Sequence, residues 1–169
     1  MKLTGNRILL AGIVLAGALL AFSLLGRDDN SLRLDVQVSG TVNTTQNAAN
    51  GQYGGSGTGL ANDPFGNVTL SGGGSGQAEG NCVVFDGGGE LVTAAGTLQL
   101  RLAKPGRACL TEAMLDQTAG GGELQVTATV EATGTTDSLV GRHGNLKARG
   151  TFNTDSSNFT VRLTGGLRR

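Results

Sequence analysis

The chain has 169 residues, and its 13 Lys plus Arg balance 13 Asp plus Glu, so it has no net charge that would attract nucleic acid. Thirty Gly, two Pro, no Trp, one Tyr and five Phe indicate many turns and a core that rests on Leu, Val and Ala. The sequence shows no recognisable catalytic, phosphate-binding or metal motif, so we predict no catalytic residue, metal site or cofactor.

An apolar stretch near the N-terminus predicts where the protein works. Ile8 to Leu25 contains 18 residues without a charge, which would run about 27 Å as a helix. Basic residues precede this stretch and Asp28 and Asp29 follow it, so the rest of the chain is predicted to lie outside the cytoplasm. We therefore predict a cell-envelope protein: residues 1–26 are an uncleaved membrane anchor or a cleaved signal peptide, and residues 27–169 are one extracytoplasmic domain.

Cys82 and Cys109 are the only cysteines of the chain. Outside the cytoplasm such a pair can be oxidised, so we expect a disulfide bond between them. The alternative is two free thiols packed as small apolar side chains. Two Cys and one distant His are too few ligands for a structural zinc site.

The first predicted strand follows the anchor at once, because apolar residues alternate with polar ones from Leu32 to Val38. From residue 40 to residue 81 the alternation thins, and 11 Gly lie between Asn50 and Asn81. In this section only Phe65, Val68 and Leu70 predict a short strand. The section is either a set of weak strands joined by tight turns or a partly mobile loop.

Several shorter elements are predicted after the Gly-rich section. Cys82 to Phe85 and Glu90 to Thr93 are predicted strands, with a turn at Asp86–Gly89 between them. Leu98 to Leu102 alternates as a strand, and Lys104–Gly106 is predicted to reverse the chain. Thr111 to Gln117 is the only candidate helix after the anchor, with Thr111 as its N-cap.

The clearest strands lie in the last third of the chain. Leu124 to Ala132 is the longest clean alternation, and the alternating runs 146–152 and 159–163 predict a β-hairpin. A tight turn centred on Asp155–Ser156 would place Phe152 opposite Phe159 on the buried face.

The same hairpin would bring basic side chains together on its outer face. It places Arg149 opposite Arg162, with Lys147 two residues away, and like charges repel unless an anion or an acidic neighbour joins them. The three residues are therefore a candidate site for an anionic lipid or an acidic glycan. The alternative is that Glu131 or Glu123 on the adjoining strand neutralises them.

Together these elements predict an all-β fold of about eight antiparallel strands, preceded by one N-terminal hydrophobic helix. The arrangement is either a β-barrel or a β-sandwich. A barrel is favoured because closure removes the exposed edge that the long last strand would otherwise present.

The C-terminal third also resembles a group of known proteins. Gly141-Arg142-His143-Gly144, Ala148-Arg149-Gly150 and Phe159-Thr160-Val161-Arg162-Leu163-Thr164-Gly165 are similar to motifs of Gly-rich secreted bacterial β proteins, and of barrels of the allene oxide cyclase and dirigent type. Asn145-Leu146 stands where those proteins have a Phe. The resemblance implies a β topology and transfers no active site.

Three functions remain open at this point. The first is a non-enzymatic domain, attached to the membrane through Ile8 to Leu25, that acts by surface contacts with a protein, glycan or lipid; no protein partner can be named. The second is a barrel that binds a small apolar ligand, which the shortage of aromatic core residues favours. An interior cavity on the order of several hundred Å³ would favour the second, and a filled interior the first. The third is an enzyme whose site the sequence does not show.

Overall fold

The computed structural model describes residues 31–44, 50–110 and 122–169. The anchor stretch Ile8 to Leu25 and the candidate helix Thr111 to Gln117 lie outside these residues. Within the three described ranges, no helix has both the length and the apolar character needed to cross a bilayer.

The described residues form nine strands and one turn of 3₁₀-helix. The strands are β1 Leu32–Thr44, β2 Asn50–Ala61, β3 Asn67–Glu79, β4 Cys82–Thr93, β5 Gly96–Leu102, β6 Gly106–Leu110, β7 Glu123–Gly134, β8 His143–Asn153 and β9 Asn158–Leu167. The 3₁₀ turn, Asp137–Leu139, lies between β7 and β8.

These strands form a closed antiparallel β-barrel of eight strand positions. Strands that follow one another in sequence are paired neighbours, except where β5 and β6 share a single position, and β9 pairs with β1 to close the ring. The choice between barrel and sandwich is therefore settled in favour of the barrel. Its closure supplies β1 and β9 with hydrogen-bonding partners that an open sheet would leave exposed.

β5 and β6 form one interrupted strand, and the chain reversal predicted at Lys104–Gly106 is wrong. Both strands pair with β4 on one side and with β7 on the other, so the chain keeps its direction across the interruption. Pro105 lies between the two strands. Because proline has no backbone N–H to donate to a ladder, it fits at a break between two paired segments.

The described residues of the Gly-rich section form the end of β1 and two long strands, β2 and β3, so strands rather than a loop occupy this section. The turn predicted at Asp86–Gly89 is wrong, because these residues lie inside β4 and pair with β3. Phe65 is not in a strand but in the connection between β2 and β3. A strand needs backbone partners on both sides more than it needs side chains, and the closed barrel supplies them.

One end of the barrel is filled with side chains, and we call it the packed end. The β2–β3, β4–β5 and β7–β8 connections lie there, and Phe65, Leu139 and Leu167 are fully buried. Asn62 fixes the β2–β3 connection to β1: its Nδ2 donates to the carbonyl O of Arg33 at 2.7 Å, and its Oδ1 accepts from the N–H of Asp35 at 2.7 Å.

Two further predictions are confirmed by the strand register. β8 and β9 form the predicted hairpin, with Phe152 opposite Phe159 and Arg149 opposite Arg162. Cys82 and Cys109 form a disulfide bond between β4 and β6, where they are directly paired residues. The bond therefore joins two neighbouring strands.

Candidate functional site

The barrel contains a cavity of about 510 Å³ at the end opposite the packed end. We call this the cavity end, and the β3–β4 turn and the β8–β9 turn lie there. All nine described strands contribute inward-facing residues to the lining. The volume falls within the range of roughly 300 to 1,000 Å³ that is usual for small-molecule sites.

The cavity exists because many inward-facing positions carry little or no side chain. In the Gly-rich strands these positions include Gly55 on β2, Gly72 and Gly76 on β3, and Gly87 and Gly89 on β4, all of which line the cavity. Across the interior, the small side chains of Ala108, Ala128 and Ala148 face the same space. A barrel of this strand number is just wide enough for ordinary side chains to fill, so glycine and alanine leave the interior partly empty.

Four aromatic side chains line the cavity. Tyr53 and Phe85 make an edge-to-face contact, with ring centroids 6.3 Å apart and an interplanar angle of 87°. Phe152 and Phe159 are a directly opposed pair on β8 and β9. Aromatic rings offer a large apolar contact surface at a low cost in side-chain entropy, which is typical of residues that line ligand sites.

Tyr53 is held in place across a neighbouring strand. It is paired with Gly74 on β3, and Gly74 is paired with Gly87 on β4. The Tyr53 hydroxyl reaches past Gly74 and donates a hydrogen bond to the carbonyl O of Asp86 at 3.1 Å. Burial, and then the nearby Asp86 carboxylate, raise the pKa of Tyr53 to about 12, because both disfavour a phenolate anion.

The other polar residues of the lining belong to the outer face or to a turn. Gln52, Ser71, Arg101 and Thr151 occupy outward-facing register positions, and Thr154 lies in the β8–β9 turn. Arg101 is paired across β5 and β7 with Glu131, an outward-facing acid. Among the described residues that line the cavity from inward-facing positions, Tyr53 therefore has the only polar side chain.

The basic residues of the hairpin lie on the outer face, away from the cavity. Asp35 on β1, and not Glu123 or Glu131, is the acid that pairs with Arg162. The Arg162 guanidinium donates from Nε to Asp35 Oδ1 at 2.8 Å and from Nη2 to Asp35 Oδ2 at 2.7 Å. Within the described ranges, no carboxylate forms a salt bridge with Lys147 or Arg149.

Comparison with protein-family models, with curated proteins and with solved structures gives no match to this chain. The geometry of the cavity is therefore the basis for any statement about function. In the part of the chain that the structure describes, no cluster of three or more His, Cys, Asp or Glu side chains is placed to hold a metal ion.

The sequence did not reveal which residues line the cavity, although it contained a signal. Glycine occupies successive alternate positions in β2 to β4, such as Gly72, Gly74 and Gly76. In a strand, residues two apart share a face, so this spacing predicts one face without side chains. We expected residues 40–81 to form either weak strands joined by tight turns or a partly mobile loop, because the pairing of the three strands was not evident.

Proposed function

We propose that this protein binds a small apolar molecule inside its barrel. The observation that supports this function is the cavity of about 510 Å³, whose inward-facing lining is apolar except for Tyr53. A filled interior would have favoured a domain that acts only through its surface. The cavity favours the ligand-binding alternative instead.

An apolar ligand suits this cavity better than water does. A buried water molecule needs two to four polar partners, and engineered apolar cavities stay dry or take up apolar molecules. Transfer of an apolar ligand from water contributes on the order of 25 cal/mol for each Å² of apolar surface that becomes buried. The aromatic rings of Phe85, Phe152 and Phe159 supply much of the surface that such a ligand would contact.

The test is a substitution that fills the cavity. Ala128 faces the cavity from β7, opposite Ala148 on β8, so Ala128→Leu would place a larger side chain in the empty space. Binding is measured by the fluorescence of N-phenyl-1-naphthylamine, an uncharged apolar probe. The unchanged protein should bind the probe saturably, and Ala128→Leu should weaken that binding roughly tenfold or more because probe and side chain compete for one volume.

Thr129→Leu is the matched control. Thr129 lies next to Ala128 on β7 but on the outer face, paired with Lys147, so the same leucine there should leave probe binding unchanged. If Ala128→Leu does not fold, Val126→Phe fills the same cavity from the position paired with Gly150. Equal probe binding by the inward and outward variants would contradict the proposed function.

We also propose that the barrel works outside the cytoplasm. The disulfide bond between Cys82 and Cys109 supports this location, because such bonds persist in oxidising compartments. The charge pattern around Ile8 to Leu25 supports the same side of the membrane.

Binding of an anionic lipid or glycan at Lys147, Arg149 and Arg162 stays a prediction. The ion pair between Arg162 and Asp35 lowers the net positive charge of this face. Replacement of Arg149 and Arg162 by Gln, followed by sedimentation with anionic vesicles, tests it: unchanged vesicle binding would contradict the prediction.

A further inference from the structure

The polar group inside the cavity is arranged to accept a hydrogen bond from a ligand. The Tyr53 hydroxyl uses its single proton in the bond to the carbonyl O of Asp86. A phenolic oxygen can both donate and accept, so what remains available on Tyr53 is its acceptor capacity. A ligand group that meets this oxygen must therefore be a donor, such as a hydroxyl.

No positively charged side chain of the described strands faces the interior. On the described strands, every Lys and Arg occupies an outward-facing register position: Arg33, Arg101, Arg107, Lys147, Arg149 and Arg162. The sequence of the two segments between the described ranges, 45–49 and 111–121, contains no Lys or Arg. A carboxylate that entered the cavity would lose its hydration without gaining an ionic partner.

The charge that acts on Tyr53 is negative. The Asp86 backbone carbonyl accepts the Tyr53 proton, and its carboxylate accepts a hydrogen bond from the N–H of Gly87 at 2.8 Å on Oδ1. The electrostatic effect of this carboxylate contributes to the raised pKa of Tyr53, whose hydroxyl therefore stays neutral at physiological pH. The Asp86 carboxylate would repel an anionic ligand head at the same place, just as it disfavours the phenolate form of Tyr53.

From this arrangement we propose that the cavity selects an uncharged apolar molecule that carries a hydroxyl group, and discriminates against the corresponding carboxylate. The inference rests on the proposed function, because it concerns the same cavity. Tyr53 acts here as a specificity-determining residue: it accepts the hydrogen bond of the ligand hydroxyl, while Phe85, Phe152 and Phe159 contact the apolar part.

The experiment compares matched ligands that displace N-phenyl-1-naphthylamine from the unchanged protein. The ligands are 1-decanol, decanoic acid and 1-methoxynonane, an isomer of decanol that has no hydrogen-bond donor. At mildly alkaline pH, decanoate should require a concentration at least about tenfold higher than decanol, because its charge must be desolvated. Acidification, which neutralises the acid, should reduce that difference.

Tyr53→Phe tests the role of the hydroxyl directly. The variant keeps the ring beside Phe85 and removes the acceptor. Decanol should then bind about 2-fold to 10-fold more weakly, which corresponds to one net hydrogen bond. The affinity for 1-methoxynonane should stay the same, since the ether has no proton to donate to Tyr53.

The possible results separate the two proposals. If the probe does not bind, or if Ala128→Leu binds it as well as the unchanged protein, the proposed function fails and this inference fails with it. If the probe binds in the cavity but decanoate displaces it as readily as decanol does, the inference is overturned while the proposed function stands. An unchanged affinity of Tyr53→Phe for decanol would also overturn the inference.

Discussion

Arg162 on the last strand forms a two-bond ion pair with Asp35 on the first strand, at the place where the barrel closes. The hydrogen bond from Arg162, with a smaller electrostatic effect of Arg33, lowers the pKa of Asp35 below its ordinary value of 3.8. A carboxyl group whose pKa is lower in the folded state stabilises the fold above its unfolded pKa, and that stabilisation is lost as the pH falls through the folded value.

The first prediction concerns this pair. Asp35→Asn should reduce the free energy of unfolding at neutral pH by a small amount, because both side chains are exposed to solvent. The difference from the unchanged protein should hold at neutral and weakly acidic pH and should shrink below about 3.8. Urea unfolding followed by circular dichroism over this pH series measures it. A difference that grows in acid would contradict the assignment.

The second prediction concerns the disulfide bond. Cys82 and Cys109 are 27 residues apart in sequence, and on the chain-entropy model a loop of this length stabilises the fold by about 3 to 4 kcal/mol. Replacement of both cysteines by Ala should reduce the free energy of unfolding by about that amount. A reducing agent should destabilise the unchanged protein and leave the double variant unaffected, which serves as the control.

The third prediction compares two glycines of β2. A Cβ atom at Gly59 would meet the carbonyl O of Gln37 and lie 2.9 Å from the carbonyl C of that residue, whereas the nearest atom at Gly54 is the carbonyl O of Gly72 at 3.7 Å. Gly59→Ala should cost about 1 to 3 kcal/mol, because β1 and β2 must move apart. Gly54→Ala should be neutral or stabilise by up to about 1 kcal/mol. Equal unfolding midpoints would contradict this reading.

The fourth prediction is that the Tyr53 hydroxyl ionises at a higher pH than an ordinary tyrosine does. The chain contains one Tyr and no Trp, so ultraviolet absorbance of the phenolate reports on this residue alone. The folded protein should titrate with a midpoint near 12. The pKa of Tyr53 is lower in the unfolded chain than in the folded protein. The stabilisation from burial of the neutral hydroxyl is therefore complete below about pH 10 and is lost as the pH rises from 10 to 12.

Asp86→Asn supplies the control for this titration. It removes the electrostatic effect of the carboxylate and keeps the backbone carbonyl that accepts the Tyr53 proton. The midpoint should fall only part of the way toward 10, because burial is the larger cause of the shift. A midpoint that does not change would show that the Asp86 carboxylate has no influence on Tyr53.

The strands that the sequence predicted well are those with one apolar and one polar face. Leu124 to Ala132 lies within β7, and the hairpin of β8 and β9 has the predicted register at Phe152 and Phe159. In these segments the alternation of apolar and polar side chains is enough to show which face of the sheet is buried. The disulfide bond was predictable for a similar reason, since Cys82 and Cys109 had no other cysteine to pair with.

The cavity and the strands around it could not be predicted in the same way. A glycine carries no side chain that distinguishes inside from outside, so β2 to β4 show little alternation of apolar and polar side chains, and the spacing of their glycines is the remaining signal. The acid that pairs with Arg162 was also missed, because Asp35 lies 127 residues away in sequence and only the closure of the barrel brings β1 beside β9.

The pairing of Leu32 with Leu167 places the start of the first strand beside the end of the last strand, at the packed end of the barrel. A short linker could therefore join residue 169 to residue 31, and new termini could be opened at Gly80–Asn81, between β3 and β4. Such a circular permutant keeps every strand pair, since each neighbour in the ring remains a neighbour. It would also place both new chain ends beside the cavity, where a fluorophore attached to either one could report on occupancy.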